Sequence, residues 1–106
     1  MTRATAEGMR FGGIFCVTDA LAIGSRRGLA DAGIRVPDEV KVYGFDGITE
    51  AGYTVPSLST VAPDCDVMAR TAVELLLVHI DDRAGMEATE FAGPFAVMDR
   101  ESTSAR

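Results

Sequence analysis

Three places along the chain stand just beyond an expected strand: Thr18-Asp19 after Gly13 to Val17, Asp46 after Val40 to Phe45, and Pro63-Asp64 after Leu58 to Val61. In open α/β sheets, ligands bind just beyond the carboxyl ends of the strands, so these are the positions where chemistry is expected. Carboxylates there accept hydrogen bonds from hydroxyls or amines, which suits a polyhydroxylated or amine-bearing small molecule. Each position also has a purely structural reading. Asp19 at a helix start complements the helix dipole, Asp46 in Gly-Phe-Asp-Gly forms a turn, and Asp64 caps the helix that follows it.

Catalysis finds no support. Cys65 stands at a helix N-terminus, where a thiolate is favoured, but it is flanked by Asp64 and Asp66, which disfavour one. His79 lies late in the same helix, without a nucleophile to serve, where a cation suits the C-terminal dipole. There is no GxSxG, HExxH or P-loop pattern, and Gly12-Gly13 precedes a strand, so it is no dinucleotide fingerprint. Cys16, Cys65 and the one histidine lack metal-ligand spacing, so neither a metal nor a cofactor is expected.

The elements that position these residues follow from periodicity. Gly13 to Val17 reads as a buried strand. Thr18 is the N-cap of a helix over Ala20 to Ala32, stopped by Gly33. Gly24, Ser25 and Gly28 weaken that helix and predict close packing against a neighbour. A turn from Ile34 to Glu39 leads to a strand at Val40 to Phe45, then a helical piece at Thr49 to Tyr53 and a strand at Leu58 to Val61 ended by Pro63. Met68, Ala72, Leu75, Leu76 and Ile80 fall at helical spacing, predicting a helix over Cys65 to Ile80 with a buried face. A turn at Asp81 to Gly85, a connector at Met86 to Gly93, a strand at Pro94 to Met98 and a frayed polar tail from Asp99 complete the chain. Alternating strands and helices predict an α/β layer with a mainly parallel sheet, incomplete along one edge.

Composition narrows the partners. The 106 residues suit one domain with a modest core, built from aliphatic side chains because Trp is absent. The net charge is −6 with a single lysine, Lys41, so this chain alone is a poor nucleic-acid binder. The start is polar, without the apolar stretch of a secretory signal, and the richest apolar run, Leu75 to Val78, is too short to span a bilayer. A cytoplasmic protein with reduced thiols and no membrane contact is expected.

The stretch GIFCVTDALAIGSRRGLADAGIRVPDEVKVYGFDGI resembles the lactose/galactose repressor family. So does YTVPSLSTVAPDCDVMARTAVELLL, and the closing DREST is similar to that family's last strand. The resemblance runs from about Phe11 to Thr103 without interruption. It implies a periplasmic-binding-protein type I (Rossmann-like) fold, in which two α/β subdomains hold a small effector between them behind a helix-turn-helix headpiece. It further implies that residues 1–106 are a single partial effector-binding and dimerisation domain, from the C-terminal subdomain, with neither the headpiece nor the N-terminal subdomain. The chain would cross between subdomains near Thr60 to Pro63, pack the Cys65 to Ile80 helix on the absent subdomain, and return with its last strand.

Carried over by residue, the resemblance makes Asp46 an effector contact, with Thr18 at a position that is often Asn and Asp19 beside it. Pro63 stands where many members have a polar residue such as Gln, and Gly47 replaces a common Asp or Asn. Ile23, Arg26 and Arg27, with the segment around Tyr53, correspond to a dimer interface. The family mapping and the strand-end rule meet at Thr18 and Asp46.

The implied partners are a sugar-like effector in the intact protein, a second copy or a larger homo-oligomer, and operator DNA only through the absent headpiece. A fragment of a periplasmic sugar-binding transport protein is the alternative, and the DREST ending favours the regulator. An enzyme fragment would need a nucleophile or cofactor loop that is not found. A stand-alone protein that forms mixed dimers with full-length regulators is a further alternative.

Overall fold

The structure, a computed structural model, describes residues 1–81 and 90–104. The expected turn after Asp81 and part of the connector before Gly93 lie outside the described residues. The elements run α1 (Thr2–Ala6), β1 (Gly13–Phe15), α2 (Asp19–Asp31), β2 (Lys41–Phe45), a 3-10 turn at Thr49–Gly52, β3 (Ser59–Pro63), α3 (Cys65–Asp81), β4 (Phe95–Met98) and a second 3-10 turn at Glu101–Thr103. The sheet order is β1-β2-β3-β4. β1 pairs parallel with β2, aligning Phe15 with Tyr43, and β2 pairs parallel with β3, aligning Tyr43 with Ser59. The expected α/β class with a mainly parallel sheet is what forms.

The contacts divide into two units, Met1–Ala62 with Val97–Arg106, and Pro63–Ala96. In the first, α2 covers one face of the sheet. Its Ala22 and Leu29 meet Cys16, Val40, Val42, Ala51 and Leu58, all buried, and Ile14, Ile34 and Ile48 pack around them. Strand alternation decides which residues these are: Val42 and Gly44 face α2, whereas Lys41, Tyr43 and Phe45 face away. On the far face Phe15 and Tyr43 stack with ring centroids 6.4 Å apart, yet Phe15 stays 61% exposed.

α2 begins as expected, with the Thr18 hydroxyl accepting from the Leu21 amide at 3.1 Å. Of its small residues, Gly28 is buried beneath Met1 and Ser25 lies beside Cys16, with Oγ to Sγ 3.6 Å. A Cβ on Gly24 would meet nothing within 4 Å, so close packing explains only part of that stretch. The neighbour at Gly28 is α1, a short helix in the polar start where the sequence predicts none.

Three further readings are corrected. β3 continues through Pro63 instead of ending before it. The polar tail is not frayed over its first residues, because Ser102 is fully buried through hydrogen bonds to β2 and β3. In the second unit, α3 is capped by Asp64, whose carboxylate accepts from the Val67 amide at 3.1 Å, as the sequence suggests. Its apolar face, however, is not buried: no residue of α3 is, and Met68, Leu76 and Ile80 are 44%, 59% and 53% exposed. Periodicity forms the helix, but among the described residues its cover is partial: Gly93 lies against Met68, and Val67 and Leu75 are only half-buried. None of the described helices is long and apolar enough to cross a membrane.

Candidate functional site

The registers fix where the candidate residues sit. With Phe15 opposite Tyr43, Thr18 and Asp46 each lie three residues further along two adjacent parallel strands. Both therefore emerge at the same carboxyl edge of the sheet. The Cys16 amide donates to the Tyr43 carbonyl at 2.8 Å and the Asp46 amide to the Val61 carbonyl at 3.0 Å, so the three strand ends are tied up to the loops that follow.

Thr18 is half-buried; its oxygen accepts from Leu21, which leaves the hydroxyl proton to donate to a ligand. Asp46 is exposed and takes a φ of 127°. Non-glycine residues avoid that conformation at a cost of about 1–3 kcal/mol. Such strain persists only where the surroundings fix it, and it gathers at binding and catalytic positions. Sequence reading gives the place of Asp46 but not this conformation.

Asp19 departs from its expected role beside them. It is fully buried, one oxygen accepting from the amides of Gly47 and Ile48 at 2.9 Å each and the other from the Thr60 hydroxyl at 2.7 Å. Its oxygens are turned into the protein and not towards the strand-end surface. Among the described residues no cluster of His, Cys, Asp or Glu could hold a metal ion. Cys65 is exposed and free at the start of α3, and His79 lies in the last turn of the same helix.

The residues carried over as a dimer interface gather on one surface. Ile23, Arg26, Val36 and Val55 line an open groove of about 530 Å³ between α2, the turn that follows it and the segment after the first 3-10 turn. Arg26 is partly desolvated, which lowers its pKa, and donates to the Thr54 hydroxyl at 2.8 Å. Arg27 points outward, its ion pair with Asp31 at 3.1 Å exposed on both sides. Val55 in the groove is 91% exposed, and Tyr53, two residues before it in the chain and outside the groove's lining, is 80% exposed.

A mainly parallel sheet covered on one face by α2, with Thr18 and Asp46 at its carboxyl edge, defines an α/β domain of the binding-protein type. The chain belongs to the periplasmic binding protein-like domain family, whose model matches residues 2–103, and within it to the LacI/GalR group of regulators. It is 36% identical over 97 residues to the HTH-type transcriptional regulator GalR of Escherichia coli K12, covering 92% of this chain and 28% of that protein. A LacI-family regulator from Sanguibacter keddieii superposes with a TM-score of 0.93 at 37% identity, over 98% of this chain and 39% of the other. A LacI-family regulator from Enterococcus faecium, solved with bound ribose, gives a TM-score of 0.81 at 33% identity, over 96% and 38%. The chain thus spans well under half the length of the proteins it resembles.

Proposed function

We propose that this chain is the effector-sensing and dimerisation part of a bacterial LacI-type transcription regulator, drawn from its C-terminal subdomain and acting in the cytoplasm. One observation carries the reading: Thr18 and Asp46 leave adjacent parallel strands at the same edge, a hydroxyl donor beside a carboxylate acceptor. That pair suits a sugar hydroxyl, which donates to Asp46 and accepts from Thr18. The ribose bound by the Enterococcus faecium relative supports the ligand class. The regulator names of the relatives favour this reading over a transport-protein fragment, and no enzyme activity is proposed.

In the intact protein the effector would be held between this wall and a second subdomain. Its binding would shift the relation between the two, and with it the grip of a headpiece on operator DNA. The groove that carries Ile23, Arg26 and Arg27, together with the exposed Tyr53, is the proposed contact with a second copy.

One wall cannot enclose a ligand, so the isolated chain is expected to bind sugars only at millimolar concentration. In an NMR titration with D-ribose and D-galactose, the amides around Thr18 and Asp46 should shift. Asp46→Asn should weaken the response about tenfold, equivalent to about 1.4 kcal/mol. A micromolar affinity for either sugar, or shifts confined to residues away from these strand ends, overturns the reading.

A further inference from the structure

Among the described residues Asp19 is the only buried carboxylate, and no cation pairs with it there. Burying a charge is unfavourable unless hydrogen bonds replace its water, so the arrangement of those bonds shows what the residue is for. Two of the three come from Gly47 and Ile48, the amides immediately after Asp46. The third comes from Thr60 on β3. The amide of Asp46 itself is held on the other side, by the Val61 carbonyl. The peptide groups before and after Asp46 are therefore both fixed, and its φ of 127° is what remains between them.

Two glycines make the cradle possible. A Cβ on Gly44 would overlap the Asp19 Oδ1 atom, so β2 must be bare where the carboxylate passes beneath it. A Cβ on Gly47, at φ 74°, would fall 2.5 Å from the Ala62 Cβ, so the loop closes onto β3 only without a side chain there. Glycines on both sides of Phe45-Asp46, a hydroxyl on β3 and a buried carboxylate on α2 fit together as one device.

We propose that Asp19 is a positioning residue for the effector site: its buried carboxylate holds the backbone around Asp46 and so sets the direction in which the Asp46 carboxylate meets the ligand. The hold on the backbone stands by itself, while its consequence for the ligand rests on the reading of Asp46 as an effector contact.

The test is NMR on the whole chain, comparing Asp19→Ala, Asp19→Asn and Ile48→Pro. In Asp19→Ala the Gly47 and Ile48 amides should exchange with solvent at least tenfold faster, while the Leu29 and Val42 amides keep their protection. The left-handed φ of Asp46 gives it a small amide-to-Hα coupling, which should rise towards that of extended backbone. Asp19→Asn should restore both readouts. Its carbonyl can take the two amides, and its NH₂ can face a Thr60 hydroxyl turned to accept. Ile48 has a φ of −64°. Proline tolerates that value, but its ring falls where the amide hydrogen meets Asp19, so Ile48→Pro removes one of the two bonds and pushes the carboxylate away from the loop. It should move the Asp46 coupling part of the way, and it keeps the proposal testable should Asp19→Ala not fold.

An Asp46 coupling that is unchanged in a folded Asp19→Ala, or in Ile48→Pro, overturns the proposal. If the coupling moves as expected but Asp46→Asn leaves the sugar response intact, the positioning role stands and the reading of the site falls.

Discussion

The Ser102 hydroxyl donates to the carbonyl of Val42 at 2.6 Å, across sixty residues of sequence, while accepting from the Ser59 amide at 2.8 Å. It sits between β2 and β3 where their ladder begins and supplies a rung that the two strands do not make for each other. Ser59 in turn donates to the Arg100 carbonyl and accepts from its amide, and the Arg100 guanidinium reaches the Leu58 carbonyl at 3.1 Å. The closing DREST segment is thereby part of the sheet's support.

Ser102→Ala should destabilise the chain by about 2 kcal/mol, because it leaves a buried amide and a buried carbonyl without partners. Urea unfolding monitored by circular dichroism measures it, with the denaturant dependence unchanged. A loss below about 0.5 kcal/mol, the range of an ordinary surface change, would show that water replaces the hydroxyl without penalty.

Much of this arrangement is legible from sequence, and what is not has a physical reason. β1, β2 and α2 announce themselves because apolar runs and a Thr cap are local signals. The 3-10 turn at Glu101–Thr103 does not, because serine burial is decided by hydrogen-bond partners far along the chain and leaves no hydrophobic trace. α1 escapes for a similar reason: five polar and small residues become helical against α2, with Met1 over Gly28. Asp19 is expected as an effector contact beside Thr18, yet its carboxylate is buried inward, because residue type cannot tell an inward carboxylate from an outward one. The glycines at 44 and 47 are the trace it leaves, marking where the backbone has to pass close to something.

Asp46→Gly should raise stability while removing the proposed ligand acceptor. Relief of the strain at its left-handed φ is worth about 1–3 kcal/mol, and the extra freedom of glycine in the unfolded chain takes back about 0.5–1 kcal/mol. The expected net gain is about 1 kcal/mol, read as a higher unfolding midpoint. A destabilised Asp46→Gly would mean that the side chain holds the loop and is not strained by it.

Tyr43 gives the chain a feature that depends on alkaline pH. Desolvation, followed by the hydrogen bond its hydroxyl donates to Asp99 at 2.8 Å and the charge of that carboxylate, pushes its pKa up to about 12. The folded state thus holds the phenol proton more tightly than the unfolded chain, whose value is about 10. The resulting stabilisation is fully present below pH ~10 and is lost as pH rises through about 12. With Tyr53→Phe as background, an ultraviolet titration should place the Tyr43 phenol near about 12, and Asp99→Asn should move it back towards about 10. An unshifted titration would mean that the contact with Asp99 is not kept in solution.

The apolar stripe of α3 should make the chain associate with itself. Val73, Leu76, Leu77 and Ile80 recur at helical spacing, and each is more than half exposed. Contiguous apolar area of this kind is seldom left open on a soluble monomer. Sedimentation at increasing concentration should show species heavier than one chain. Leu76→Lys combined with Ile80→Lys should return the mass to that of the monomer. Neither side chain is buried in the helix's own unit. The same double variant should therefore change the unfolding free energy by no more than about 0.5 kcal/mol, as surface substitutions do. An unaltered chain that stays monomeric at high concentration defeats this expectation. Association that survives both lysines would transfer it from α3 to the groove at Ile23 and Arg26.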